Sequence, residues 1–243
     1  MASATLDPAE VAKFNALASE WWNPNGPFGA LHRLNPVRLG FIRDFALRQF
    51  GTKRAKPLAG LSVLDIGCGG GLVSAPLARM GGDVTAIDAA PEAIGAARAY
   101  AEGAGLDIKF EQATAEALVE RGARFDLVTA LEIVEHVADV NAFLSAAAAL
   151  VRPGGALILS TINRTAKARA LAIVGAERIL KWAPEGAHDY DKLVTPEEIR
   201  TGAPSLNWEE PVGVSYTPLG AGWALSNDVS MNYMIAGVRP EAG

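Results

Sequence analysis

Short apolar segments alternating with alanine-rich helical stretches predict an α/β fold, a mostly parallel sheet flanked by helices, in a single domain of 243 residues. Three observations carry this. Strand-like runs recur between residues 61 and 162, helical patterns separate them, and a glycine-rich turn follows the first run. Such alternation places helices on both faces of a parallel sheet. Ligands then sit outside the carboxyl ends of the strands.

The elements follow in chain order. Asp7-Pro8-Ala9-Glu10 reads as a helix start, with a capping carboxylate, proline at the first helical position and glutamate three residues after the cap. Val11, Phe14 and Leu17 continue at helical spacing toward Trp21-Trp22, and Asn23-Pro24-Asn25-Gly26-Pro27 ends the run. A second helix is predicted from Pro36 to Phe50. Residues 1–60 thus form an N-terminal helical cap. The core, 61–162, holds predicted strands at Ser62 to Ile66, Asp83 to Ile87, Ile108 to Gln112, Phe125 to Ala130 and Ala156 to Thr161. Helices at Pro91 to Glu102 and Val140 to Leu150 lie between them. An amphipathic helical insertion is expected over 163–205, and closing strands over 206–243, near Val212 to Tyr216 and Asn232 to Val238.

Half the residues are hydrophobic, enough for a sizeable core, and the net charge is −5. Phosphate contacts need a clustered excess of lysine and arginine, so a nucleic-acid partner is not expected. Cys68 is the single cysteine, which excludes an intrachain disulfide. The N-terminus lacks the basic and apolar blocks of a signal peptide, and no apolar run is long enough to span a bilayer. A cytoplasmic protein is expected, with a peripheral contact on the inner membrane left open.

Val63-Leu64-Asp65-Ile66-Gly67-Cys68-Gly69-Gly70-Gly71 is the most informative stretch. Glycines let a backbone turn sharply and approach a ligand without an intervening Cβ. A dinucleotide fingerprint requires its third glycine at position 72, where Leu72 stands. The D-x-G-x-G-x-G spacing of Asp65, Gly67, Gly69 and Gly71 instead resembles motif I of the Rossmann-like class I S-adenosylmethionine-dependent methyltransferases. In that class the turn wraps the methionine part of the methyl donor, and an acid at the position of Asp65 holds its ammonium group. Asp88 closes the second strand, where a carboxylate can accept bonds from both hydroxyls of an adenosine ribose. Arg152-Pro153-Gly154-Gly155 resembles the turn before strand five of the same class. Cys68 reads as a small packing residue.

The fourth strand ends in Glu132-Ile133-Val134-Glu135-His136. If Glu132 opened a helix, Glu135 and His136 would follow it at i+3 and i+4 on one face. Three readings stay open. The three side chains could hold a divalent cation that lowers the pKa of an acceptor hydroxyl, or His136 could act alone as general base. A plain capping role for the same residues is the third.

Further stretches are similar to the O-methyltransferases of ubiquinone biosynthesis. They include Phe14 to Trp22, Leu31 to Leu39, Leu64 to Gly71, Glu132 to Val137, Ser160 to Arg164, Val174 to Glu177, Gly186 to Tyr190 and Val229 to Met234. The resemblance implies methylation of ring hydroxyls on polyprenyl phenols and catechols, at two stages of quinone assembly. It implies cofactor contacts at Arg38, Gly67, Asp88 and Leu131, and magnesium held by Glu132, Glu135 and His136. It also gives residues 164–183, with their interspersed bases and apolar side chains, a place on an anionic membrane surface. Other quinone-biosynthesis proteins are implied partners. The chain departs from the family between residues 199 and 207, where Gly202 and Pro204 interrupt the helix. Two alternatives compete with this reading: a non-catalytic scaffold subunit of the same assembly, and a small-molecule O-methyltransferase with another acceptor.

Overall fold

The computed structural model describes residues 5–170, 190–217 and 222–241. Most of the 164–183 segment therefore lies outside the described residues, as does His188.

Among the described residues, nine strands form one sheet. β1 (Ser62–Ile66), β2 (Asp83–Asp88), β3 (Ile108–Gln112), β4 (Phe125–Leu131) and β5 (Val151–Ile162) run parallel in the order β3-β2-β1-β4-β5. The late strands β6 (Asn207–Trp208), β7 (Val212–Thr217), β8 (Gly222–Ser226) and β9 (Asn232–Val238) extend the sheet antiparallel, with β9 beside β5. The strand order reverses direction between β1 and β4, and a crevice opens there at the carboxyl ends.

Alternate residues of each strand feed opposite faces. Leu64, Ile66, Val128, Leu157 and Leu159 pack under α5 (Ala115–Glu120) and α6 (Val140–Ala149). Val63, Val84, Leu127, Ile158 and Ala236 pack under Ile42 and Phe45 of α2 (Gly29–Phe50). Both faces are covered, so the strands read as continuous apolar runs.

Several boundaries differ from the sequence reading. α2 begins seven residues before Pro36, which sits inside the helix. Proline lacks an N–H and so costs one hydrogen bond there, but the buried face of Leu34, Arg38, Ile42 and Phe45 runs through it. Gly51 then ends the helix with a left-handed φ of 61°. Arg152 to Gly155 is not a turn ahead of β5. It lies within the strand as a bulge, where the register against β4 shifts between Phe125 and Leu127. The strands β6 and β8 were not anticipated. α8 (Pro196–Gly202) starts with a capping box of Thr195 and Glu198 and ends at Gly202, consistent with the short helix noted there.

At the N-terminus, α1 (Pro8–Ala16) is capped by Asp7, whose side chain accepts from the Ala9 N–H at 3.0 Å. Beyond it, α3 (Ser74–Arg79) and α4 (Pro91–Gly103) follow β1 and β2. Trp21, Phe28, Leu72, Ala90 and Ala93 form a small separate core that fastens the cap to the sheet edge of the crevice. Before α8 lies the short α7 (Ala166–Ala168), whose Lys167 pairs with Asp228 while Arg164 just ahead of it pairs with Glu198. Among the described residues no helix is long and apolar enough to cross a membrane.

Candidate active site

A cavity of about 240 Å³ lies at the carboxyl ends of β1, β2 and β4, roofed by α1 and the Trp21–Phe28 pair. Arg38, Asp65, Gly67, Gly69, Asp88, Leu131, Glu132, Glu135 and His136 all line it. Gly71 does not. Its φ of 84° turns the chain into α3, and a Cβ there would touch Ala97 and Phe110 at 3.4 Å, so it serves the turn and its packing.

The glycines at 67 and 69 are required by the backbone. Both have left-handed φ, 70° and 51°, and a Cβ on Gly69 would lie 2.3 Å from the Trp21 ring. Trp21 lies flat on the turn and stacks on Phe28 with ring centroids 3.7 Å apart. Trp22 ties down the same turn from outside, donating from Nε1 to the Gly70 carbonyl at 2.9 Å while stacking on Tyr100.

Asp65 is buried and accepts from Ser74 Oγ at 2.6 Å and Thr129 Oγ1 at 2.8 Å. Burial pushes its pKa up to about 6, against the pull of those hydroxyls and of Arg38. Asp88 accepts from the Gly69 and Ala90 N–H groups, each at 2.8 Å, and so joins the glycine turn to the start of α4. Burial raises its pKa too. Each carboxylate oxygen has two lone pairs, so both aspartates keep acceptor capacity for a ligand.

Arg38 is 2 % exposed. Its Nη2 donates to Asn35 Oδ1 at 2.9 Å, and Asn35 in turn donates to the Leu72 carbonyl at 2.7 Å. Its Nε has no hydrogen-bond partner among the described residues. Burial lowers the arginine's pKa, opposed by Glu132, Asp65 and Glu135. A single guanidinium thus stands near the buried Asp65 and Glu135 and the half-buried Glu132. That charge pattern complements a ligand with one carboxylate and more than one positive centre.

The chemistry-bearing stretch is not helical at its start. Glu132 has φ 53°, a left-handed conformation that costs a non-glycine residue about 1–2 kcal/mol. Two bonds hold it: its N–H to the Ser160 carbonyl at 2.9 Å, and Ser160 Oγ to Glu132 Oε1 at 2.7 Å. Residues 134–136 form one 3₁₀ turn. The shared helix face expected for Glu132, Glu135 and His136 is therefore absent, because the strand ends in this strained residue instead of a helix cap.

Glu135 is buried and accepts from Thr161 Oγ1 at 2.9 Å, with its pKa raised by burial and by the neighbouring Glu132. His136 Nδ1 lies 2.9 Å from Glu10 Oε2. Burial works against the imidazolium, yet the Glu10 bond and nearby carboxylates prevail and its pKa rises. Glu132, Glu135 and His136 thus each bond a separate protein group, which leaves the two carboxylates with spare acceptor lone pairs but points the three side chains at different partners. Among the described residues no three His, Cys, Asp or Glu side chains are grouped to hold a metal. In this arrangement the donor set does not fit the ion.

Sequence comparison shows the family. A family described as methyltransferase domain matches residues 64–159. The ubiquinone biosynthesis O-methyltransferase of Azorhizobium caulinodans is 50% identical over 240 residues, covering 97% of this chain and 95% of the relative. That of Sinorhizobium fredii is 51% identical over 98% of both. The chain belongs to the ubiquinone biosynthesis O-methyltransferase family. It is an S-adenosylmethionine-dependent O-methyltransferase. The fold agrees: magnesium protoporphyrin IX methyltransferase from Synechocystis PCC 6803, solved with bound SAH, superposes with a TM-score of 0.67 at 21% identity over 96% of this chain and 100% of that one.

Local reasoning passed over several residues of this O-methyltransferase. Ser74, Thr129, Ser160 and Thr161 each orient a site side chain from another element, and Asn35 holds Arg38 from one turn away on the same helix. His32 bonds the Trp21 carbonyl through Nε2 at 2.9 Å. Cys68 is buried, as its packing role requires.

Proposed function

We propose that this enzyme methylates ring hydroxyls of polyprenyl-substituted phenols and catechols, at both O-methylation stages of ubiquinone assembly. The observation that carries the reading is the meeting of cofactor-binding and proton-accepting groups in one cavity: Arg38, Asp65 and Asp88 on one side, Glu135 and His136 on the other.

Arg38, through its unpartnered Nε, is assigned to the donor's carboxylate. Asp65 takes its ammonium group and Asp88 its ribose hydroxyls. Gly67, Gly69 and Leu131 supply the close backbone wall. When bound, S-adenosylmethionine supplies a sulfonium methyl open to in-line attack by oxygen. A phenolate attacks far better than a phenol, so the residue contribution is removal of one proton, assigned to His136. Glu135, buried beside it, favours the imidazolium so formed. The aromatic roof of Phe14, Trp21 and Phe28 offers an apolar face to a ring and its prenyl chain.

Residues 164–183 are proposed to rest on an anionic membrane surface at the cytoplasmic side of the inner membrane, where a prenylated substrate resides. Their bases and apolar residues support this.

The test is His136→Gln, assayed for methyl transfer and, by calorimetry, for cofactor affinity. Turnover should fall about 10²-fold or more with cofactor affinity retained. Full turnover in the variant would remove His136 from the chemistry.

A further inference from the structure

Glu10 has an unexpected role in the folded chain. Standing three residues after the Asp7 cap, it should reach back to the Asp7 N–H as the second half of a capping box. Instead its carboxylate meets His136, 126 residues along the chain, at 2.9 Å, with Lys13 of the same helix 3.8 Å from the shared oxygen. Phe14 lies four residues further along α1 on the same face. Its ring meets the imidazole edge-on, with centroids 5.3 Å apart. One helix face thus grips the imidazole twice. The helix is itself anchored nearby: the Ala138 N–H donates to the Thr5 carbonyl at 2.9 Å, and Lys192 Nζ donates to Asp7 Oδ2 at 2.9 Å.

A carboxylate can only accept. A neutral imidazole bonded to one through Nδ1 must therefore carry its proton on Nδ1, which leaves the lone pair on Nε2. The remaining ring nitrogen belongs to a residue that lines the cavity. We propose that Glu10 is a positioning residue, which holds His136 in the Nδ1–H tautomer and makes Nε2 the nitrogen presented to the acceptor hydroxyl. This rests on the reading of His136 as the base. In the step it serves, the hydroxyl proton passes to Nε2 and the freed oxygen pair forms the new O–CH₃ bond. The S–CH₃ pair returns to sulfur as a neutral thioether, and the imidazolium later releases its proton to water. Glu10 stays ionised throughout. Because Glu10 belongs to α1, the base is complete only when the N-terminal helix lies over the cavity.

The tautomer can be read directly. The chain has three histidines, so ¹⁵N-histidine spectra in alkaline buffer can be assigned, with His136 identified by its loss in His136→Gln. The wild type should show a protonated Nδ1. Glu10→Ala should shift His136 toward the Nε2–H form and lower kcat about 10–100-fold, with cofactor affinity and acceptor KM little changed. Glu10→Gln keeps an acceptor oxygen at Nδ1, so it should retain the tautomer and recover much of kcat. An unchanged tautomer with full kcat in Glu10→Ala, while His136→Gln is inactive, would overturn the role of Glu10 alone. Full activity in His136→Gln would overturn the base itself.

Discussion

Replacing Asp65 with asparagine should strengthen the ligand-free fold and weaken its hold on the methyl donor. Asp65 is buried, and its pKa rises from the ordinary 3.8 to about 6, chiefly because burial penalises the charged form. A carboxyl whose folded-state value lies above its unfolded value favours the unfolded chain at high pH. The loss begins near 3.8 and is complete above about 6, where it amounts to about 3 kcal/mol. Asparagine keeps the shape without the charge, although the Ser74 or Thr129 hydroxyl must turn to accept from its amide. A net gain of about 1–3 kcal/mol is therefore expected at alkaline pH and little at pH 4. Cofactor affinity should move the other way, falling about 10–100-fold with the loss of a charge-assisted bond. In the wild type, affinity should also drop about tenfold for each pH unit below about 6. The variant should lack that component. Denaturant melts without ligand and calorimetry across pH measure both, and subtracting the variant from the wild type removes contributions from Asp88 and Glu135. A folded Asp65→Asn protein that is less stable at alkaline pH, or that binds the donor as tightly as before, would refute the argument.

Three more substitutions probe other parts of the account. Arg38→Met removes the buried guanidinium and should weaken donor binding about 10–100-fold by calorimetry, while leaving the circular dichroism spectrum intact. Gly69→Ala places a methyl 2.3 Å from the Trp21 ring at a φ of 51°, so about 2–4 kcal/mol of stability should be lost, with a change in tryptophan fluorescence. Tyr233→Phe deletes a buried hydroxyl that donates to the Val194 carbonyl at 2.8 Å. About 1–2 kcal/mol should go in denaturant melts with turnover per folded molecule unchanged.

What the sequence made legible follows from range. β1 was read at its true bounds because Ser62–Ile66 is buried on both faces and ends at glycines with a local signature. β6 and β8 were missed because they are short or half-exposed and exist only through pairing with β9 and β7. Pro36 looked like a helix start because proline suits that position, and only the buried stripe from Leu34 to Phe45 shows the helix running through it. The glycine turn and Asp88 were evident in the spacing. The left-handed Glu132 was not, since its strain is held by Ser160 on a neighbouring strand. Arg38 had no local signal beyond family likeness. Its surroundings in the fold are Asn35, itself bonded to Leu72, and the charges of Glu132, Asp65 and Glu135 from β1 and the end of β4. Glu10 misled in an instructive way: its spacing satisfies a capping rule, and tertiary contact with His136 overrides it.

The central claim is tested most directly by incubating the purified wild-type enzyme with methyl-labelled S-adenosylmethionine and a short-chain prenyl catechol, then locating the label by mass spectrometry and NMR. The account predicts one labelled methyl on a ring oxygen and an equal amount of demethylated donor. Donor binding without transfer to the prenyl catechol, alongside efficient transfer to an unprenylated acceptor, would contradict it.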